Sequence, residues 1–497
     1  MNVAKTLSIA LIALCPLSGL FSQGKFEFTP LARDAYEKTL ALRFDEANLL
    51  IARLKLEEPG NLFSYYFENY IDFFKLYITE DGALYKKQEA AYDARLEKIE
   101  KSGDPKSPYT LFTQANMRLQ WALIRLRFED YLAAFNDVNK ANKLLERNTE
   151  AFPDFMPNRR DLGLLHAMVG TIPNEYKWGV KLLSSLDGTI EQGRKEVEEV
   201  LNYADSHDFV FGNETRALYA FLLLHLENDG DKAWKILQEG KLEPAENPMH
   251  CFVLANIAMR TGKNDEAVRL LENKPDSPMF FPFPYLDYML GLAKLRRLDK
   301  DAGPYIQRFL DRYKGRHYIK EAYQKLAWQA LINGRPEDYR RIMVSCLDKG
   351  HAVAGGDKSA LQEAREGRTP DADLLRSRLL FDGGYYTRAR DLLAPHQISD
   401  FPDQHTRLEF NYRMGRIEQG LKNNREALRH YKETIREGED SPWFFACNAA
   451  LQSGLIYEKL GDKAAARSHF QLCIKMNPVE YADGLHQQAK AGLARIR

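Results

Sequence analysis

The side chains best equipped for molecular recognition in this sequence are three arginines, Arg378, Arg413 and Arg416, with Tyr412, Asn448 and Gln452 as neutral polar companions. A guanidinium presents a rigid fork of N–H donors that matches a carboxylate bidentately. A face on which the three arginines converge could therefore grip a carboxylate. The competing reading is a solvated basic stripe balanced by Glu409 and Glu418, in which exposed ion pairs contribute little. Covalent and metal chemistry lack their local signatures. There is no HExxH, GxSxG or GxxxxGK[ST] run, and no GxGxxG between a strand and a helix. His166 sits among apolar neighbours in GLLHAM, yet one imidazole without partner ligands makes no metal site, and it reads as a buried, hydrogen-bonded structural residue. Trp178 and Trp443 read as fillers of core gaps and not as stacking platforms. Two carboxylates facing each other across a helical cleft would suit glycoside hydrolysis, but none of the 70 acidic residues stands in a distinguishable environment. No catalytic, cofactor-binding or metal-ligating residue is assigned.

A recognition face needs regular elements to hold it, and the segment from Asn448 to Pro478, NAALQSGLIYEKLGDKAAARSHFQLCIKMNP, shows what they are. Gly454 leaves room for a second helix to cross the first closely, and Tyr457 fills the groove beside it. Gly461 opens the turn and Ala466 sits at the close contact. Phe470 packs against the next unit, and Pro478 ends the second helix because it cannot continue the hydrogen-bond ladder. Gly415, Ala427 and Tyr431 repeat the pattern one unit earlier, each at the same offset from its counterpart among Gly454, Ala466 and Phe470.

This succession of small, aromatic and turn residues closely resembles the tetratricopeptide repeat family. The resemblance implies a binding scaffold in which inward-facing residues of each first helix contact the partner. By register with Gly415, Tyr412, Arg413 and Arg416 face that groove. By register with Gly454, Asn448, Gln452 and Leu455 do so, and Arg378 takes the matching place one unit earlier. The Lys and Asn arrangement by which some family members hold a C-terminal carboxylate is not present at these positions, which disfavours tail capture of that type.

Weaker copies of the punctuation continue upstream: Gly383-Gly384 before Ala389 and Leu393; Ala327, Gly334 and Tyr339; Gly291, Leu298 and Ala302; Ala255, Gly262, Ala267 and Leu271. Asn228-Asp229-Gly230, Arg127-Phe128 and Arg43-Phe44 mark three more turns. The spacing predicts about nine helix hairpins from Leu31 onward. Apolar residues recur at intervals of three and four and almost never alternate, so the predicted fold is all-α, an α-solenoid of antiparallel hairpins that is elongated and curved. Three segments interrupt the rhythm. The aromatic run in Glu58–Thr79 predicts a helix buried on more than one side. Phe152–Leu201 is rich enough in Pro and Gly to predict shorter helices joined by ordered turns. Asp276–Pro284, DSPMFFPFP, cannot be helical with three prolines. The central motifs, Gly163–His166, Gly170–Pro173, Tyr176–Trp178 and Gly188–Gly193, resemble a succession found in secreted tetratricopeptide proteins of Gram-negative bacteria.

Lys plus Arg and Asp plus Glu both number 70, which leaves no basic footprint for nucleic acid. Residues 1–22 read as a secretory signal, with Lys5 as the positive end, Leu7–Leu14 as the apolar run and cleavage near Ser22–Gln23. Cys15 follows Leu14 and not a small residue, so lipid attachment is the lesser reading. The other cysteines form no CxxC pair and read as buried, disulfide-free packing. The expected layout is a signal at 1–22, degenerate repeats at 23–150, an irregular helical segment at 151–205, degenerate repeats at 206–400 and well-formed repeats at 401–497. The expected role is an exported, non-enzymatic scaffold without cofactor, binding a protein or peptide in the periplasm or at the outer membrane, with membrane contact peripheral if any. The rivals are a glycan-binding outer-membrane lipoprotein and an all-helical hydrolase.

Overall fold

The computed structural model describes residues 24–170, 186–227 and 229–496. Helices follow one another as antiparallel pairs, and among the described residues no strand forms beyond the isolated bridges Gly24–Gly103 and Lys25–Asn61. The N-terminal half contains α1 (Pro30–Leu40), α2 (Phe44–Glu57), α3 (Phe63–Thr79), α4 (Gly82–Ser102), α5 (Pro108–Arg127), α6 (Tyr131–Ala151), α7 (Met156–Gly170) and α8 (Ile190–Ser206). There follow α9 (Gly212–Leu222), which runs into a π turn at Leu223–Glu227, α10 (Gly230–Gln238), α11 (Pro248–Arg260), α12 (Asn264–Glu272), α13 (Tyr285–Arg297) and α14 (Ala302–Arg312). The C-terminal half contains α15 (Ile319–Ile332), α16 (Pro336–Met343), α17 (Ser345–Asp348), α18 (Gly355–Glu366), α19 (Ala372–Asp382) and α20 (Tyr386–Leu393). It ends with α21 (Gln404–Gly420), α22 (Asn424–Gly438), α23 (Phe445–Lys459), α24 (Lys463–Lys475) and α25 (Ala482–Arg495). The molecule is an all-α solenoid.

One backbone device closes many of the pairs. The turn between first and second helix places a residue in the left-handed region: Gly262 at φ +72°, Gly334 at +76°, Gly384 at +82° and Gly461 at +80°. Only glycine reaches that region without a Cβ clash, yet Leu42, Glu129, Leu298 and Lys422 occupy the same place in their own hairpins at φ between 59° and 66°. These pairs tolerate the strain because the packed helices on either side dictate the turn.

The crossing of each C-terminal pair is set by a glycine under a ring. A Cβ on Gly415 would lie 2.6 Å from the Tyr431 ring, and one on Gly454 would lie 2.6 Å from Phe470. A Cβ on Gly492 of α25 would lie 2.5 Å from the other edge of the Phe470 ring, so α25 stands where the first helix of a further unit would stand. Ala427, Ala466, Tyr431 and Phe470 are fully buried, and Tyr457 lies half-buried against His469. The second helix of the last pair stops at Lys475, short of Pro478, because the residue before a proline is already driven toward extended backbone.

Among the described residues two hairpins exceed the nine expected from spacing. The aromatic helix α3 buries Phe63, Tyr66, Phe67, Tyr70 and Phe74 and pairs with α4 across a turn whose left-handed position is Glu80 and not a glycine. In the segment 152–201, residues 171–185 lie outside the described residues, and on either side of them the described residues form two helices, α7 and α8, of 15 and 17 residues. They cross where a Cβ on Gly193 would lie 2.2 Å from the Gly163 carbonyl, so these two glycines mark a packing seam and not a chain break. Gly188 likewise lies against the His166 backbone. Thr171–Pro173 and Tyr176–Trp178 lie outside the described residues. The short α17 and the longer α18 form an insertion between α16 and α19 that the spacing did not announce.

Contacts between remote parts of the chain close the curve. Asp276–Pro284 is non-helical, as its prolines require, and its Phe281 N–H donates to the Leu42 carbonyl at 2.7 Å, with the ring 5.0 Å from Phe44. Glu80, only 3% exposed, accepts from the backbone N–H groups of Arg316 and His317 at 2.9 and 3.0 Å, from His317 Nδ1 at 2.8 Å and from Arg127 at 3.1 Å. Burial works to raise this carboxyl, but His317 and Arg127 together bring it down to about 2.

Candidate functional site

First helices of successive units, α19, α21, α23 and α25, enclose a concave cavity of about 490 Å³. The local fold dictates which side chains enter it: Gly415 and Gly454 face the second helices, so the cavity takes side chains from other faces of the first helices. Arg378, Tyr412, Arg413, Arg416 and Asn448 all line this cavity, together with Phe381, Asp382, Phe444, Tyr481 and Gln488. Gln452 does not. Its amide donates to Asn448 Oδ1 at 3.1 Å and accepts from Gln419 at 3.1 Å, so it positions Asn448 from behind. Leu455 is packed into the core around Phe470 and Cys473.

The three arginines are in different electrostatic states. Arg413 donates to Glu409 Oε1 through Nε at 2.8 Å and again through Nη2. Burial works to raise the Glu409 carboxyl, but Arg413, with His405 and Arg378, holds it below the ordinary range. Arg378 lies 4.7 Å above the Trp328 ring and 4.0 Å from Asp382. Arg416 has no carboxylate partner among the described residues. Its guanidinium lies 4.8 Å over Phe381 and donates to the Tyr412 hydroxyl at 3.0 Å, while its buried Nε has no acceptor. Asn448 also donates to the Tyr412 hydroxyl, at 2.7 Å, which leaves the phenol proton free to donate. Glu409 and Glu418 are buried, and Glu418 accepts from Asn423 at 2.7 Å. The basic face is therefore not a solvated stripe with those two acids as its counterions.

Two further concavities adjoin. One of about 220 Å³ shares Arg378, Arg413, Phe444 and Tyr481 with the first and adds Lys325, Trp328, Glu363 and Glu480. Trp328 is held between Lys325, 3.8 Å from its ring, and Arg378; burial brings the Lys325 ammonium down to about 8. Glu363 is fully engaged, accepting from Trp328 at 2.8 Å, Tyr339 at 2.8 Å and Gln324 at 2.6 Å. The other, about 1000 Å³, is lined by Arg260, Arg296, Tyr285 and Tyr318 and meets the first at Phe381, Asp382 and Arg416.

Sequence reasoning missed the aromatic walls, Phe381, Phe444 and Tyr481, and the acid Glu480. One signal was present: the interval from Gly415 to Gly454, stepped on once more, falls beside Gly492, which would have placed α25 in the register and its N-terminus at the groove. Tyr481 starts that helix in a left-handed conformation, φ +60°, with its hydroxyl 2.8 Å from Ser359 Oγ and its ring 5.1 Å from Phe444.

The other residues singled out earlier are structural in their contacts. His166 Nδ1 lies 2.5 Å from Glu196 and 3.0 Å from Gln192, and Trp443 packs edge-on to His405 at 5.0 Å. Cys251, Cys346, Cys447 and Cys473 are buried and unbridged, with the Cys447 and Cys473 sulfurs 3.6 Å apart. Among the described residues no group of His, Cys, Asp and Glu is placed to hold a metal, and no helix is long and apolar enough to cross a membrane.

Residues 448–480, which span α23 and α24, match the tetratricopeptide repeat family. The chain carries a tetratricopeptide repeat. The α21–α22 pair reproduces the repeat's glycine-under-ring crossing one unit upstream. No curated protein matches the chain in sequence. Solved structures that resemble it include the P58(IPK) TPR domain, 14% identical over 83% of this chain and 94% of that one, with a TM-score of 0.22. Another is Naa15/Naa10 bound to HypK-THB, 14% identical over 94% of this chain and 66% of that one, with a TM-score of 0.25.

Proposed function

We propose that the chain is an exported, non-enzymatic tetratricopeptide scaffold that binds a protein or peptide segment along its concave groove, in the periplasm or at the outer membrane. One observation carries the binding site: Arg416, cradled by Phe381 and Tyr412 at the meeting of two cavities, has no carboxylate partner among the described residues. A half-buried guanidinium with no carboxylate in bonding reach, and only Asp382 acting on it across the cavity, gains from a ligand that supplies one. Binding along a preformed groove requires no chemistry beyond this, since aromatic walls give contact area and the polar side chains give selectivity. The basic, apolar and small-residue succession of residues 1–22 supports export.

Arg413 is a poor probe of the site, because removing it strands the buried Glu409. Arg416→Ala is the better one. A partner isolated from an envelope fraction on the immobilised protein, then purified and titrated, should bind the variant about tenfold or more weakly, the scale of one charge-assisted bidentate contact, with far-UV helicity unchanged. Equal affinity for both proteins removes the groove from the binding site. Export is tested separately: N-terminal sequencing of the protein from its native envelope should begin at Gln23, and an intact Met1 excludes cleavage.

A further inference from the structure

The groove holds a second unpaired charge, of opposite sign to Arg416. Glu480 lines the smaller adjoining cavity and has no hydrogen bond or ion pair among the described residues. Burial, with Glu366 and Glu363 nearby, pushes its carboxyl up, against the pull of Arg378. The two cavities share Phe444 and Tyr481 as their common wall. That wall is built under strain. Tyr481 holds a left-handed backbone that a side chain with a Cβ rarely adopts, fixed by its hydroxyl on Ser359 and its ring on Phe444, and such conformations persist only where the surroundings over-determine them. The wall thus borders both the cavity that holds Arg416 and the cavity that holds Glu480. Arg378, between the cavities, is occupied with the Trp328 face and Asp382.

Building on the groove reading, we propose that the groove selects an extended peptide by charge order: an acidic side chain seated at Arg416, an apolar side chain against the Phe444–Tyr481 wall, and a basic side chain seated at Glu480. Each protein charge is partly stripped of water and gains most from a ligand of opposite sign. A peptide of the reversed polarity brings like charges together at both ends, which costs more than losing either contact. Because the chain as a whole is neutral, this selectivity arises from the local arrangement and not from a general field.

The test uses the full mature chain and fluorescein-labelled nonapeptides, read by polarisation. Each carries one Glu and one Lys flanking a Leu or Phe, in both chain orders and at varied separations, with Gln replacing either or both charges as controls. One order and spacing should bind at least tenfold more tightly than its reversal. Arg416→Gln should abolish the advantage conferred by the Glu and leave that of the Lys; Glu480→Gln should do the converse. Absence of binding by every peptide, equal binding of both orders, or loss of both advantages in one variant overturns the charge order. If Arg416→Gln weakens all peptides alike, the groove reading survives and the charge order fails. If peptides bind and neither variant changes any affinity, both fail.

Discussion

Where α21–α24 set a glycine beneath a ring, Gly415 under Tyr431 and Gly454 under Phe470, the N-terminal hairpins set ring upon ring. Phe63 and Phe67 stack with centroids 5.5 Å apart, and Phe28, Tyr36 and Phe211 close around them. In the C-terminal pairs both partners belong to one hairpin and keep the same separation along the chain. In the N-terminal core Phe211 arrives from the loop that opens α9, and Glu214 of that helix accepts from the hydroxyls of Tyr36 and Tyr70. Beside it the buried Arg160 pairs with Asp161 at 2.7 Å and lies 5.0 Å from the Phe211 ring. Local packing of the first kind leaves a spacing in the sequence; packing across many units leaves only composition.

Substitutions can break this contrast, and the greatest loss is expected at Phe470. Its ring fills the space between Gly454 and Gly492, so Phe470→Ala should lower stability by about 3–5 kcal/mol, seen in urea unfolding followed by circular dichroism, and should loosen α25. A loss under about 1 kcal/mol would show that the terminal unit does not depend on the glycine-under-ring contact.

The remote closure is probed at Glu80. Glu80→Gln leaves Arg127 and the 316–317 amides without their anion and should cost about 3 kcal/mol, with faster amide exchange at both α3–α5 and residues 313–318. Exchange that rises on one side only would mean that the two regions are not coupled. The acid limb gives the sign. A carboxyl held at about 2 against an ordinary 4.5 contributes stability that is fully present above about pH 4.5 and lost as pH falls through about 2. The wild type should therefore lose more stability over that window than the glutamine variant, which has no carboxyl to protonate.

The smallest effects compare two turns with the same backbone. Gly461 has open space where a Cβ would project, and only its φ of +80° resists a side chain; Gly461→Ala should cost about 1 kcal/mol. Lys422 occupies the same turn one hairpin earlier at φ +65°, and Lys422→Gly should stabilise by up to about 1 kcal/mol. Thermal melts of the pair check both signs, and a destabilised Lys422→Gly would mean that the lysine side chain makes a contact that outweighs its strain.

The same turns explain what could be read in advance. Hairpins closed by Gly262, Gly334, Gly384 and Gly461 announced themselves through that glycine and those closed at Leu42, Glu129, Leu298 and Lys422 through neighbouring residues, whereas the α3–α4 pair was masked by the aromatic run of α3. At the site, the register read from the Gly415 and Gly454 units placed Arg378, Tyr412, Arg413, Arg416 and Asn448 on first helices, and all five line one cavity. It misplaced Gln452 and Leu455, which keep the offsets of Arg413 and Arg416 from their glycine but are taken up by Asn448 and Gln419 and by the terminal core. It could not separate Arg413, neutralised by Glu409 one helical turn away, from Arg416, which has no such acid.

By itself the sequence determined the all-α class, the hairpin unit and the register of its last units, because those follow from local spacing: a small residue, a ring and a left-handed turn at set intervals within one pair of helices. Only the tertiary structure decided how the units close on one another through Glu80 and Phe281, and which charges in the groove remain unpaired. Those outcomes depend on distances between residues far apart in the chain, and nothing in local periodicity carries that information.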